Sequence, residues 1–151
     1  MKARWVLGVD IGGTNLVVGA VSVAGGKPTA IRSEPTYPER GPEDAVKRIA
    51  SMAEEVVDQT LKAQGGCRKD FAGVGIGCPG PLDLAQGVIV TTPNLGWDGF
   101  PIRSRISSEL ELPASLDNDA NCATFGEWWL GAGQGVDSLV GVTLGTGIGG
   151  G

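Results

Sequence analysis

Asp10 lies within Gly8-Val9-Asp10-Ile11-Gly12-Gly13-Thr14-Asn15, where an apolar run delivers a carboxylate to a glycine turn followed by a hydroxyl. Gly12 and Gly13 let backbone N–H groups approach an anion with no Cβ in the way, and Thr14 adds a hydroxyl donor, so the turn can wrap a phosphate. Asp10 repels phosphate directly; its fitting task is to hold Mg²⁺, through water. Neither G-x-x-x-x-G-K-[ST] nor a G-x-G-x-x-G between a strand and a helix is present, so spacing excludes those two phosphate loops. An ordinary Gly-Gly hairpin with an aspartate at its base fits the same residues.

A second glycine segment, Leu144-Gly145-Thr146-Gly147-Ile148-Gly149-Gly150-Gly151, follows another apolar run. Two strand-borne loops of one type can clamp one polyphosphate, with Gly145, Thr146 and Gly147 approaching it, although a plain glycine tail also describes Gly149 to Gly151. Between the loops, Leu116-Asp117-Asn118-Asp119-Ala120-Asn121 passes from an apolar run into a helix-like segment. Asn118 can form paired hydrogen bonds with sugar hydroxyls, and Asp119 can accept a proton from an attacking alcohol, as phosphoryl transfer to a sugar requires. Helix N-capping by Asp117, Asn118 or Asp119 is the competing reading. Thr91 to Trp97 sets the amide of Asn94 near the aromatic face of Trp97, a pairing useful for a carbohydrate and equally usual in a loop or a core.

These groups need a scaffold, and the sequence supplies the pattern of one. Apolar runs at 5–10, 15–23 and 29–35, broken by glycine turns, predict an antiparallel meander. Ala45, Ile49, Met52, Val56 and Leu61 recur at helical spacing between Pro42 and Gly65, predicting a helix over 42–64. Strands over 71–77, 87–92, 114–117 and 138–144 alternate with helices over 101–110 and 119–130, the last stopped by Gly131. Three antiparallel strands followed by alternating helix and strand indicate an α/β layer around a mixed sheet, in one domain with no internal repeat and no linker. Trp128 and Trp129 are expected in core or subunit packing, which leaves self-association open.

Composition narrows the chemistry. The chain has 151 residues, 41% of them hydrophobic and 19% charged, enough for one buried core. It has no histidine, which removes Ser-His-Asp and Cys-His catalysis and leaves acid–base work to carboxylates. A formal charge of -5 argues against a nucleic-acid surface, so any phosphate is held by backbone N–H groups and a bridging cation. Cys67, Cys78 and Cys122 are odd in number and widely spaced, which suits small buried residues better than a metal site or a disulfide framework. No run approaches a membrane span and the N-terminus is not signal-like, so no membrane partner and a cytoplasmic location are expected.

In this order, Asp10-Ile-Gly-Gly-Thr-Asn15, Gly77-Cys-Pro-Gly-Pro81, Pro93-Asn-Leu-Gly-Trp97, Asn118-Asp-Ala-Asn121 and Gly145-Thr-Gly-Ile-Gly-Gly150 resemble the ROK family of sugar kinases and repressors. The resemblance implies an actin-like, ribonuclease-H-like lobe of an ATP-dependent, glucokinase-like hexose kinase. It implies Asp119 as the base taking the proton of the sugar 6-hydroxyl, with Asn94, Asn118 and Asp119 holding the sugar. Gly13, Thr14, Asn15 and Thr146 would approach the ATP phosphates, and Asp10 would serve Mg²⁺. Position 15 is often lysine in such kinases; Asn15 lacks the charge but stays within the pattern. The further lobe of the family, with its adenine contacts, sugar-binding Glu and His and structural zinc site, has no counterpart here. The expectation is therefore an N-terminal nucleotide- and sugar-binding lobe over 1–151 that does not turn over alone. Kinases of N-acylmannosamine or fructose, a polyphosphate donor, and a non-catalytic sugar- or nucleotide-binding module remain the alternatives; the helix-turn-helix of repressor members is not seen.

Overall fold

A computed structural model of the chain describes residues 4–144 and 148–151. Strands β1 (Trp5–Ile11), β2 (Asn15–Ser22) and β3 (Ala30–Pro35) form the expected antiparallel meander. Helix α1 (Pro42–Gln64) then returns the chain, so that β4 (Phe71–Cys78) pairs parallel with β1. A small antiparallel sheet of β5 (Leu82–Asp83), β6 (Val88–Thr92) and β7 (Trp97–Phe100) follows, then helix α2 (Ile102–Leu110). Strand β8 (Ala114–Asn118) lies parallel beside β4 and completes a five-stranded sheet of order β3-β2-β1-β4-β8. Helix α3 (Asp119–Leu130) and the hairpin of β9 (Val142–Leu144) and β10 (Ile148–Gly150) close the chain.

The helix bounds follow from local chemistry. Pro42 begins α1 where no N–H is needed, Glu43 and Asp44 sit in its first turn, and Gly65 stops it at φ 69°. Its buried stripe, including Val46, Ile49, Met52 and Val56, meets Leu7, Val9 and Ile11 of β1 and Leu16 and Val18 of β2 in one core. Ile102, Ile106 and Leu110 of α2 extend that core. Alternation then dictates the rest: the buried members of β1 face the helices, and Val6, Gly8 and Asp10 face the other side. On that side the sheet floors an open groove of about 1130 Å³, with α3 across one end.

Three expectations are corrected. The strand over 138–144 shortens to Val142–Leu144, because only those residues find a partner, in β10; Val140 is 82% exposed. Trp128 and Trp129 are not in the core but on the exposed side of α3, which leaves the subunit packing also expected of them; there Phe125 and Trp128 stack with ring centroids 5.5 Å apart and Trp128 Nε1 donates to the Val136 carbonyl at 3.1 Å. Of the cysteines only Cys78, at the end of β4, is buried in the core; Cys67 and Cys122 are exposed. No helix among the described residues is long and apolar enough to cross a membrane.

Candidate functional site

The parallel strands β1, β4 and β8 end together, and their register sets Asp10 beside Gly77 and Gly77 beside Asp117. Ligands in such sheets bind at the carboxyl ends of parallel strands, where the loops diverge. Neighbouring strands lie about 4.8 Å apart, so Asp10 and Asp117 stand about 10 Å from one another across a residue with no side chain. A Cβ at Gly77 would lie in van der Waals contact, 3.5 Å from Cys122 Sγ and 3.6 Å from Asp119 Cα, so the first turn of α3 packs on the sheet with no room there for a side chain larger than alanine. Asp10, Gly12, Asp117 and Asp119 consequently line one groove.

The start of α3 is capped by Asn118, whose Oδ1 accepts from the N–H groups of Ala120 at 3.0 Å and Asn121 at 3.4 Å. Capping leaves its Nδ2 free to donate elsewhere. Asp119 Oδ1 accepts from the Ala120 N–H at 2.8 Å, leaving Oδ2 for other chemistry. Asp117, which sequence reasoning considered only as a cap, accepts from its neighbour's N–H at 2.7 Å and from Asn121 Nδ2 at 2.9 Å, tying β8 to the helix.

Negative charge is concentrated here. Asp10 is open to the groove on one side and backed by protein on the other; that partial loss of water pushes its carboxyl above the usual range, and the charge of Asp119 adds to the effect. Cys122 is exposed as a residue, but its thiol is raised first by partial loss of water and then by the charges of Asp117, Asp10 and Asp119. Cys78 is pushed up to about 12 by burial, then by Asp119 and Asp10. None of the ion pairs among the described residues includes Asp10, Asp117 or Asp119, so a cation in the groove would relieve all three. No three His, Cys, Asp or Glu side chains among the described residues gather as metal ligands. A single carboxylate suits Mg²⁺, which keeps several waters and completes its shell with substrate phosphates; Asp10 fits that task.

Gly12 and Gly13 form the turn between β1 and β2, and Thr14 and Asn15 are exposed beside them. A Cβ on Gly12 would meet the Asn15 carbonyl at 3.0 Å, and one on Gly13 would meet Asn94 Cβ at 3.4 Å. The second contact sets the exposed Asn94 against the glycine turn, far from it in the sequence. Trp97 does not share the surface with it: Trp97 is 2% exposed and packs in the core, so it offers no face to a carbohydrate. From the other end of the chain, Gly149 approaches Ala120 in the first turn of α3, where its Cβ would lie 3.2 Å from the alanine methyl. Gly145, Thr146 and Gly147 lie outside the described residues.

The profile of the ROK family matches residues 6–151. A glucokinase of Halalkalibacterium halodurans is 36% identical over 100% of this chain and 44% of its own. A glucokinase of Thermotoga maritima is 40% identical over 97% of this chain and 43% of its own. Among solved structures, a ROK family glucokinase from Streptomyces griseus in complex with glucose and AMPPNP superposes with a TM-score of 0.83 at 33% identity, covering 97% of this chain and 43% of that one. The chain thus spans less than half the length of the relatives it matches.

Proposed function

The chain belongs to the ROK family, and from that membership we propose that it is the nucleotide- and sugar-binding lobe of an ATP-dependent hexose kinase acting in the cytoplasm on glucose. The observation that carries the reading is the convergence of Asp10, the Gly12-Gly13 turn, Asn118 and Asp119 at the carboxyl ends of three parallel strands. The relative solved with glucose and AMPPNP supports both the sugar and the adenine nucleotide.

In this reading Asp119 Oδ2 takes the proton of the glucose 6-hydroxyl as its oxygen bonds to the γ-phosphorus of ATP and the bond to the departing ADP breaks. The other carboxylate oxygen is held by the Ala120 N–H, which fixes the direction of the free one. Asn118 Nδ2 and the amide of Asn94 hold sugar hydroxyls. N–H groups of Gly13 and Asn15 and the hydroxyl of Thr14 hold phosphate oxygens, joined by Gly145, Thr146 and Gly147 from the second loop. Mg²⁺, held at Asp10, neutralises phosphate charge when bound.

Asp10, Gly12 and Asp119 line a groove that is open to solvent, and the relatives are more than twice as long, so this lobe is proposed to bind without turnover on its own. Coupled detection of glucose 6-phosphate with Mg-ATP, on the 151-residue chain and on a form extended to the length of its relatives, tests both statements. Turnover in the extended form alone is the expected result. Turnover in the short chain would refute the half-site argument, and a product only from another sugar, or only with polyphosphate, would refute the glucose and ATP assignments.

A further inference from the structure

Thr36 is fully buried, and both of its donors are spent on the glycine turn. Its hydroxyl donates to the Gly12 carbonyl at 2.6 Å and its N–H to the Thr14 carbonyl at 2.8 Å. Across the turn, the Gly12 N–H donates to the Asn15 carbonyl at 2.9 Å, and no bond runs from the Asn15 N–H back to Gly12. The Gly12 carbonyl accepts from the Thr36 hydroxyl and not from the Asn15 N–H. A trans peptide sends its C=O and N–H in opposite directions. With the Gly12 and Thr14 carbonyls turned toward Thr36, the N–H groups of Gly13 and Asn15 point away from it.

Thr36 is itself held. Arg48 of α1, only 16% exposed, donates to the Pro35 carbonyl at 2.7 Å and to the Thr36 carbonyl, while its Nε donates to Asp44 Oδ2 at 2.7 Å. The arginine fork thus fastens residues 35 and 36 to the helix, and Thr36 fastens the turn to them. An arginine buried to this degree is costly without such partners, and its guanidinium points at carbonyl oxygens of the segment behind the turn rather than at a ligand.

We propose that Thr36, fixed by Arg48, is a positioning residue for the phosphate-binding turn, holding the Gly13 and Asn15 N–H groups open toward the nucleotide. This rests on the kinase reading for its ligand, but the geometry of the turn can be tested without one. Amide hydrogen exchange is measured on the ligand-free chain for wild type, Thr36→Val, Thr36→Ser and Arg48→Met, alongside thermal melts and the affinities for Mg-AMPPNP and glucose. Thr36→Val keeps the shape and loses the hydroxyl bond to the Gly12 carbonyl; the turn loosens, and exchange of the Gly12 N–H, whose bond to the Asn15 carbonyl spans the turn, rises about tenfold, the scale of one net hydrogen bond. AMPPNP affinity falls by about the same factor and glucose affinity holds, with Thr36→Ser restoring both readouts. Arg48→Met gives the same split in a milder form.

Unchanged exchange at Gly12 in Thr36→Val would overturn the positioning role. So would an equal loss of nucleotide and glucose affinity, or a serine variant as impaired as valine. Faster exchange in a protein whose wild type binds no AMPPNP would uphold the role of Thr36 and reject the kinase reading.

Discussion

Replacing Asn118 with alanine and, separately, with aspartate distinguishes a helix cap from a sugar ligand. Asn118 Oδ1 accepts two N–H groups at the start of α3. Alanine removes the acceptor, a loss of about 1 kcal/mol for a cap. That corresponds to about 2–4 °C in Tm for a chain of this size. Aspartate retains the acceptor. Its charge gains about 0.3–1 kcal/mol at the helix N-terminus, and the adjacent Asp117 and Asp119 oppose it, so its Tm stays near that of wild type. What aspartate cannot supply is an N–H donor. If Nδ2 holds a glucose hydroxyl, both variants lose affinity by about tenfold, one hydrogen bond's worth plus any uncompensated desolvation. Thermal melts followed by circular dichroism, paired with glucose titration calorimetry, read the two effects separately. The expected pattern is loss of Tm in Asn118→Ala alone and loss of glucose affinity in both. Asn118→Asp binding glucose with the wild-type Kd would confine Asn118 to capping and remove it from the sugar site.

Asp119→Asn should lower kcat in the extended kinase by at least about 10²-fold, as loss of a general base does; full activity would sink the assignment. The same substitution removes a charge that raises the Asp10 carboxyl, so NMR titration should show Asp10 moving down toward its ordinary value, and no movement would separate the two groups. Asp10→Ala should weaken use of Mg-ATP more than sugar binding in steady-state kinetics, and a selective loss of glucose affinity would contradict its cation role. Alkylation followed by mass spectrometry at pH 8 should label the exposed Cys67 first, Cys122 more slowly because its thiol is raised, and Cys78, pushed up to about 12, only on unfolding. Early labelling of Cys78 would mean that the end of β4 opens.

Helix α1 was legible to the residue because each signal was local: Pro42 to start it, Gly65 to stop it and an apolar stripe of the right period between them. The mixed sheet was legible for the same reason, from runs divided by glycine. The failures are non-local. Val140 has a strand-like side chain and no strand to pair with, and burial of Cys67, Cys122, Trp128 and Trp129 depends on what packs across from them. The small sheet of β5 to β7 was seen only as its middle strand, since β5 has two residues and β7 four, too few for a period. Thr36 carried no signal at all: a threonine after a proline looks like a turn residue until the carbonyls it serves are known.

The approach of Asp119 to Asp10 depends on a small residue at Gly77, which sequence reading assigned to a buried strand. Register puts Gly77 between Asp10 and Asp117, and a Cβ there would already be in van der Waals contact with Cys122 and the backbone of Asp119. A side chain larger than alanine would push the first turn of α3 off the sheet, carrying Asp119 away from Asp10. Burial raises the Asp10 carboxyl first, and the nearby charge of Asp119 adds to it, a smaller contribution that would fall if the helix moved away from the sheet. Among the described residues no lysine or arginine pairs with Asp10, Asp117 or Asp119, so their charges are left to act on one another across the groove.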